Sequence, residues 1–320
     1  GGPAFFAAFF IVSFFVFHYL NPDLRLGSGN LFGIDKHLVG IWLGGAIVVF
    51  SMILDDLGGL RVGQKFVIQV SVVIAVVGSG IGIDRLSNPF GNAFDLNSVY
   101  LLILSAGGIE YHFSLWSDLL TLVWLVGMMN VINFLDGVDG LAGGTSFIAA
   151  ITIFLLSISY GVSQPATAMI AIILAGAILG FLVWNFPPAK IFMGDSGSMF
   201  LGFILGILAI ISGGKLATAF LVLGFPIVDG LIVAGGRILR GQNPLTTPDK
   251  THLHHRFLRA GFTVRQSIIA LYIISAAFGW VALRSKTFDK IIAALILIFL
   301  MVVLTRILNR MTAKSQSSNG

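Results

Sequence analysis

Apolar residues run along this chain in blocks of about 20, the length at which a helix crosses the hydrocarbon core of a bilayer. Gly, Pro and charged residues gather between the blocks. The pattern predicts membrane helices at roughly 3–20, 37–54, 64–83, 117–135, 141–160, 166–184, 197–212, 216–236, 266–284 and 288–308. Two shorter runs, 97–104 and 109–113, predict a hairpin in the longest loop. The expected architecture is all-α: a polytopic helical membrane protein with about ten spans, residues 1–320 forming one transmembrane domain. The first block has no positively charged lead and no A-x-A site, so it does not read as a signal peptide.

Composition removes the soluble alternatives. With 57% hydrophobic and 10% charged residues and a mean hydropathy of +0.97, the chain has too few polar residues to coat a water-facing surface. The absence of cysteine excludes disulfides and thiolate metal sites. A net charge of +5 arises from Lys and Arg scattered through loops, which membrane topology explains and nucleic-acid binding does not.

Placing the loops alternately on two sides makes the distribution lopsided. One side receives the loops near 55–63, 136–140, 185–196 and 237–265 and the C-terminal tail, with the larger share of the nineteen Lys and Arg. The positive-inside tendency makes that side cytoplasmic. Every unusual polar cluster falls there too: Asp55-Asp56, the Asn133/Asp136/Asp139 group, Asn185 with Asp195, and His252/His254/His255. Clusters gathered on one face argue for one site.

Each cluster has a plain reading and a chemical one. NVINFLDGVDGLAGG sets Asp136 and Asp139 between spans. It is either a glycine-rich turn capped by its own aspartates or the lining of a polar cavity, since an unpartnered aspartate inside a membrane costs about 3 kcal/mol. ILDDLGGLRVGQK ends a helix on two adjacent carboxylates, which sit in water, bind a cation or share a raised pKa; Lys65 follows as an interfacial anchor or an anion ligand. In WNFPPAKIFMGDSGSMFLG, Asp195 is a good helix cap, and Asn185 and Asp195 are also hard oxygen ligands suited to Mg2+ or Mn2+. The cytoplasmic His/Arg loop at 237–265, RILRGQNPLTTPDKTHLHHRFLRAGFTVRQ, sets His252, His254, His255 and Arg256 among Lys250, Arg259 and Arg265. That company suits phosphate better than a metal, or anionic lipid heads as the plainer alternative. His18, His37 and His112 read as packing or surface histidines.

The order LDD, NFLDGVDGLAGG, FMGDSGS and PDKTHLHHRFLRAGF resembles the polyprenyl-phosphate N-acetylhexosamine-1-phosphate transferases over nearly the whole chain. Within them, HLHHR after PDK is similar to the bacterial branch that makes undecaprenyl-pyrophosphate-GlcNAc. The resemblance implies transfer of N-acetylglucosamine-1-phosphate from UDP-GlcNAc to undecaprenyl phosphate with release of UMP, a first membrane step of cell-envelope polysaccharide such as O-antigen or lipopolysaccharide. Members share a pattern of about eleven spans and a basic first loop ending in Pro-x-x-Gly-Gly. This chain opens at Gly1-Gly2-Pro3, where their second helix would begin, so one helix is expected to be missing.

Residue by residue, the resemblance makes Asp195 with Asn185 the metal pair. Asp55 and Asp56 are the catalytic aspartates that orient or deprotonate the lipid phosphate. Asn133, Asp136 and Asp139 bind near the nucleoside and Lys65 near the pyrophosphate. His252, His254, His255 and Arg256 close over sugar and phosphates. It further implies a Mg2+-dependent enzyme (Mn2+ as substitute) of the bacterial inner membrane, multi-pass, with its site on the cytoplasmic side and a homodimer left open. The muramoyl-pentapeptide branch, with a different histidine motif, is the alternative of the same class. A transporter is the alternative of another class, and the gathering of polar groups on one face instead of at the midplane argues against it.

Overall fold

Inside a bilayer every backbone amide must find its partner within its own segment, so long apolar runs fold as helices. The computed structural model describes residues 1–320 except 32, 87, 89–90, 107–108, 213–215, 242–251, 285–286 and 318–320. Its helices are α1 (Gly2–Phe15, continued by a π turn Val16–Leu20), α2 (Lys36–Gly58), α3 (Val62–Gly78), α4 (Leu115–Leu135), α5 (Leu141–Ile158) and α6 (Pro165–Asn185). They continue with α7 (Gly194–Ile211), α8 (Leu216–Val222), α9 (Gly224–Leu239), α10 (Leu253–Arg259), α11 (Val264–Arg284) and α12 (Thr287–Ser317). Among the described residues eight helices are long and apolar enough to cross a membrane, and α3 is an apolar helix just shorter than these. The chain is a multi-pass membrane protein.

The segment 216–236, expected as one span, is two helices that part at Leu223. Pro226 supplies the reason. It has no N–H to give the carbonyl four residues back, and its ring crowds that carbonyl, so the helix stops and restarts with Pro226 in the first turn of α9. The expected hairpin is present as Tyr100–Ala106 paired antiparallel with Ile109–Ser114. His18 stacks on Phe14 with ring centroids 5.4 Å apart. His37 pairs with Asp35, the N-cap of α2. The side chain of His112 lies outside the described residues, as do Lys250 and the rest of 242–251.

At the centre stands α7, buried at every residue from Ser196 to Ala209. Its neighbours approach through small residues, as helices must where lipid offers no hydrophobic drive between them. A side chain at Gly202 would put its Cβ 2.4 Å from the carbonyl oxygen of Met128 in α4. On α2, Gly44 and Gly45 leave the space that Phe203 and Phe200 fill. Phe5, Phe6 and Phe9 of α1 surround Phe200 at centroid distances of 5.8, 5.0 and 5.6 Å. Polar side chains at these contacts are paired: Trp42 Nε1 donates to Ser13 Oγ at 2.9 Å and Trp124 Nε1 to the Gly206 carbonyl at 3.0 Å.

This packing brings the C-terminal ends of α2, α4 and α6 to the same face as the N-terminal ends of α3, α5 and α7, and α10 lies against that face. Replacing Gly202 with Val should therefore lower the detergent-solubilised unfolding midpoint by the equivalent of about 1–3 kcal/mol, the usual cost of overpacking a core. Gly180→Ala, where a Cβ meets nothing within 4 Å, should leave the midpoint unchanged or raise it; equal loss in both variants would contradict the close α4–α7 packing.

Candidate functional site

The site begins where α2 runs out. Gly59, at φ +73°, turns the chain out of the helix. Adjacent residues on a helix project about 100° apart, so Asp55 and Asp56 face different partners. Asp55 accepts the Leu60 N–H at 2.5 Å and stands 2.5 Å from the Lys65 ammonium in the first turn of α3. Lys65 Nζ also donates to Asp195 Oδ2 at 2.7 Å. The other oxygen of Asp195 accepts from Asn133 Nδ2 at 3.0 Å, and Asn133 also reaches Ser198 Oγ at 2.9 Å. Three helix ends and the last turn of α4 thus meet in one hydrogen-bonded group.

Asp56 does a different job. Its carboxylate accepts the N–H of Asp195 at 2.8 Å, the N–H of Ser196 at 3.3 Å and the hydroxyl of Ser196 at 2.7 Å. These donors open α7, so Asp56 caps that helix from a neighbouring one, where a negative charge also suits the helix dipole. The carboxylate comes so close that a Cβ at residue 194 would stand 2.7 Å from it, and Gly194 has φ +74°. Glycine is the residue that fits both conditions.

The α4–α5 turn lies beside this group. Asp136 ends α4, and burial first, then the charges of Asp195, Asp139 and Asp56, push its carboxyl up to about 7. Gly140, at φ +77°, donates its N–H to Asn185 Oδ1 at 2.9 Å and accepts from the Tyr272 hydroxyl. Asn185 is buried and donates to the Ile191 carbonyl at 2.9 Å. Asp139 Oδ2 accepts the Ala189 N–H at 3.1 Å. Asn185 and Asp139 therefore brace the loops around the site by holding backbone.

Over the turn lies α10. His252, at its N-cap, is tied through Nδ1 to Asp229 Oδ2 at 2.8 Å. His254 is 1% exposed, and neither ring nitrogen has a partner among the described residues. Its edge lies over Gly137, where an added Cβ would be 3.2 Å from Nε2. Burial, and after it the neighbouring His255, holds His254 down to about 3, so its ring is neutral at physiological pH. The His255 ring sits 4.2 Å from that of His254, and Arg256 Nη1 donates to Asn309 of α12 at 2.6 Å.

Residues 38–213 match the family described as glycosyl transferase family 4. The chain belongs to that family. It is 35% identical over 285 residues to the probable undecaprenyl-phosphate N-acetylglucosaminyl 1-phosphate transferase of Bacillus subtilis, covering 87% of this chain and 74% of that protein. It is 32% identical over 295 residues to the decaprenyl-phosphate N-acetylglucosaminephosphotransferase of Mycolicibacterium smegmatis, covering 83% and 69%. A stretch of 137 residues is 35% identical to the undecaprenyl-phosphate alpha-N-acetylglucosaminyl 1-phosphate transferase of Thermotoga maritima, covering 42% and 46%. The matched region spans α2 to α7, hence the acidic group of this family 4 chain, and ends before α10.

Of the residues expected from the sequence, Asp55, Lys65, Asn133 and Asp195 bond to one another, with Asp56 on the Asp195 backbone. Asp136 is close enough to feel three of the other carboxylates. Asn185 does not join Asp195: its oxygen and its nitrogen are both engaged with main chain. Arg256 is turned in part toward α12. Ser198, Asp229 and Tyr272 belong to the assembly and were passed over in the sequence. Asp229 carried a signal, an ionisable residue inside an apolar run; the others carried none.

The raised Asp136 carboxyl makes a pH prediction. Its stabilising protonated form is fully present below the ordinary carboxylate range and is lost as pH rises through about 7, because the folded state binds the extra proton. In the absence of divalent cations the unfolding midpoint should fall between pH 5 and 8. Asp136→Asn should flatten that fall and be the more stable protein at pH 8; an unchanged slope in the variant would refute the assignment.

Proposed function

We propose that this chain transfers N-acetylglucosamine-1-phosphate from UDP-GlcNAc to undecaprenyl phosphate, releasing UMP, at the cytoplasmic face of the bacterial inner membrane. The observation that carries this reading is the meeting of Asp55, Lys65, Asn133 and Asp195, from four helices, in one hydrogen-bonded group at one membrane face. It occurs in a chain whose relatives are named for this transfer to undecaprenyl or decaprenyl phosphate. The product would carry the first sugar of a cell-envelope polysaccharide.

In the reaction an oxygen of the lipid phosphate attacks the phosphorus that bears the sugar, and the bond from that phosphorus to the UMP oxygen breaks. Such transfers depend on positioning and charge neutralisation more than on covalent help. The Lys65 ammonium, aimed by Asp55 and Asp195, shares the charge of the diphosphate. Asp56 holds the start of α7, and with it Asp195, in place. Asn133 fixes the rotamer of Asp195 from α4. The neutral His254 offers hydrogen bonds at the α4–α5 turn, and Arg256 adds positive charge on α10. A lipid phosphate is largely ionised at neutral pH, so Asp55 acts chiefly by orienting Lys65.

The residues fit a divalent cation such as Mg2+ or Mn2+. Burial first, and then the charges of Asp195, Asp139 and Asp56, raise the proton affinity of Asp136, so hard oxygen donors of α2, α7 and the α4–α5 turn stand near one another. Among the described residues no three His, Asp or Glu side chains gather as a ligand set. An ion of this kind takes one or two carboxylates and completes its shell with water and phosphate oxygens. Asp195 would hold it with Asp136 beside it, and when bound it would supply Lewis-acid polarisation of the phosphoryl oxygens.

Exchange of labelled UMP into UDP-GlcNAc tests this reading. It should require both undecaprenyl phosphate and Mg2+, and other UDP-sugars tried in parallel should exchange more slowly. Asp195→Ala should reduce exchange at least about 10²–10³-fold, the scale of losing one preorganised electrostatic group, and Asp55→Asn should slow it less. Full activity in Asp195→Ala would overturn the assignment.

A further inference from the structure

A buried carboxylate is costly unless it is paired or used. Asp229 lies on α9, 4% exposed, and the reaction above gives it no part. Both of its oxygens go to one element. Oδ2 stands 2.8 Å from His252 Nδ1, and Oδ1 accepts the Leu253 N–H at 2.9 Å. His252 is the N-cap of α10 and makes no side-chain cap of its own, so Asp229 supplies that cap from another helix. The same contact fixes which ring nitrogen faces the carboxylate: Nδ1 carries the proton given to Asp229.

The pinned imidazole is also wedged. Its centroid is 5.7 Å from that of Phe134, in the last turn of α4, and 5.7 Å from that of His254, whose ring is tilted from it by only 7°. The Arg237 guanidinium lies 5.8 Å from the centre of the Phe134 ring. Phe134 directly follows Asn133, the partner of Asp195, so this stack continues from the acidic group. At its inner end, over Gly137, is His254, whose two ring nitrogens find no partner among the described residues. Leaving a buried polar group unpaired is unfavourable, so this placement needs something to hold α10 down.

We propose that Asp229 is a positioning residue for the transfer reaction, acting through His252 to seat α10 and hold the His254 edge over the Asp136–Gly140 turn. There His254 presents one donor and one acceptor to the sugar nucleotide. The inference rests on the reading of the reaction given above, and its test separates the two.

The test uses the full chain in lipid nanodiscs, with UMP exchange measured for wild type, Asp229→Asn, His252→Ala and the double variant. Asn keeps the shape of Asp. Because the Leu253 N–H needs an acceptor, the new amide must turn its NH2 toward His252 and move the ring proton to Nε2. Asp229→Asn should lower kcat about 10- to 100-fold, the scale for losing the partner that orients a functional histidine. The KM for undecaprenyl phosphate and the unfolding midpoint should stay unchanged. If Asp229 acts through His252, the double variant should be no slower than His252→Ala alone. Unchanged kcat in Asp229→Asn, or a double-variant loss equal to the product of the single losses, would overturn the proposal. Nitrogen-15 spectra of labelled histidine supply an arm independent of turnover: the wild type should show an imidazole protonated on Nδ1 that Asp229→Asn removes, and identical spectra would overturn the anchor. Should wild type exchange no UMP, the transfer reading fails, and these spectra still decide whether Asp229 holds His252.

Discussion

The carboxylate of Asp56 closes the N-terminus of α7, and the arrangement of the site depends on that bond. A helix buried along its whole inner length has opening N–H groups that cannot turn to bulk solvent without pulling the helix out of its packing. Taking the cap from α2 fixes the height of α7 relative to α2, and so the position of Asp195 relative to Asp55 and Lys65. The same contact explains why two adjacent aspartates differ in role: Asp56 is taken up by the opening residues of α7, while Asp55 is also paired with Lys65, a side chain that can exchange partners.

Much of this was legible in the sequence, for physical reasons. Charged residues stand out in apolar runs, so Asp55, Asp56, Asp136, Asp139 and Asp195 could be found and assigned to one face by alternation alone. The helices emerged from run length because the bilayer leaves the backbone no alternative. The division of labour was not legible. Whether an Asn ligates or braces depends on where its amide meets main chain, and Asn185 meets Gly140 and Ile191 across two loops that no local pattern connects. Pro226 was visible, yet an apolar run continuing on both sides of it concealed the break between α8 and α9. Asp229 stands out as an ionisable residue in the same run, but its partners lie on a segment whose chemistry was read as loop, so its role could not be assigned from the sequence. Tyr272 had no sequence signal, since a tyrosine in a membrane helix usually reads as an interfacial anchor.

The polar groups of the site do two kinds of work. Asn185, Asp139 and Tyr272 satisfy backbone atoms of the loops around Gly140 and Ala189. Lys65, Asn133 and Asp195 bond side chain to side chain. The first set gives each loop a defined place. The second holds charge on side chains, which can exchange partners more readily than backbone can.

The walls of the site differ in stiffness. Helix α4 is held against α7 by backbone contact at Gly202, where a side chain has no room. The opening turn of α3, by contrast, is largely exposed and joined to α7 through the Lys65 ammonium. The diphosphate of the proposed reaction would compete for that ammonium, so its charge would act on the side joined to α7 by an ion pair. The close α4–α7 contact would serve as the fixed template against which it is placed.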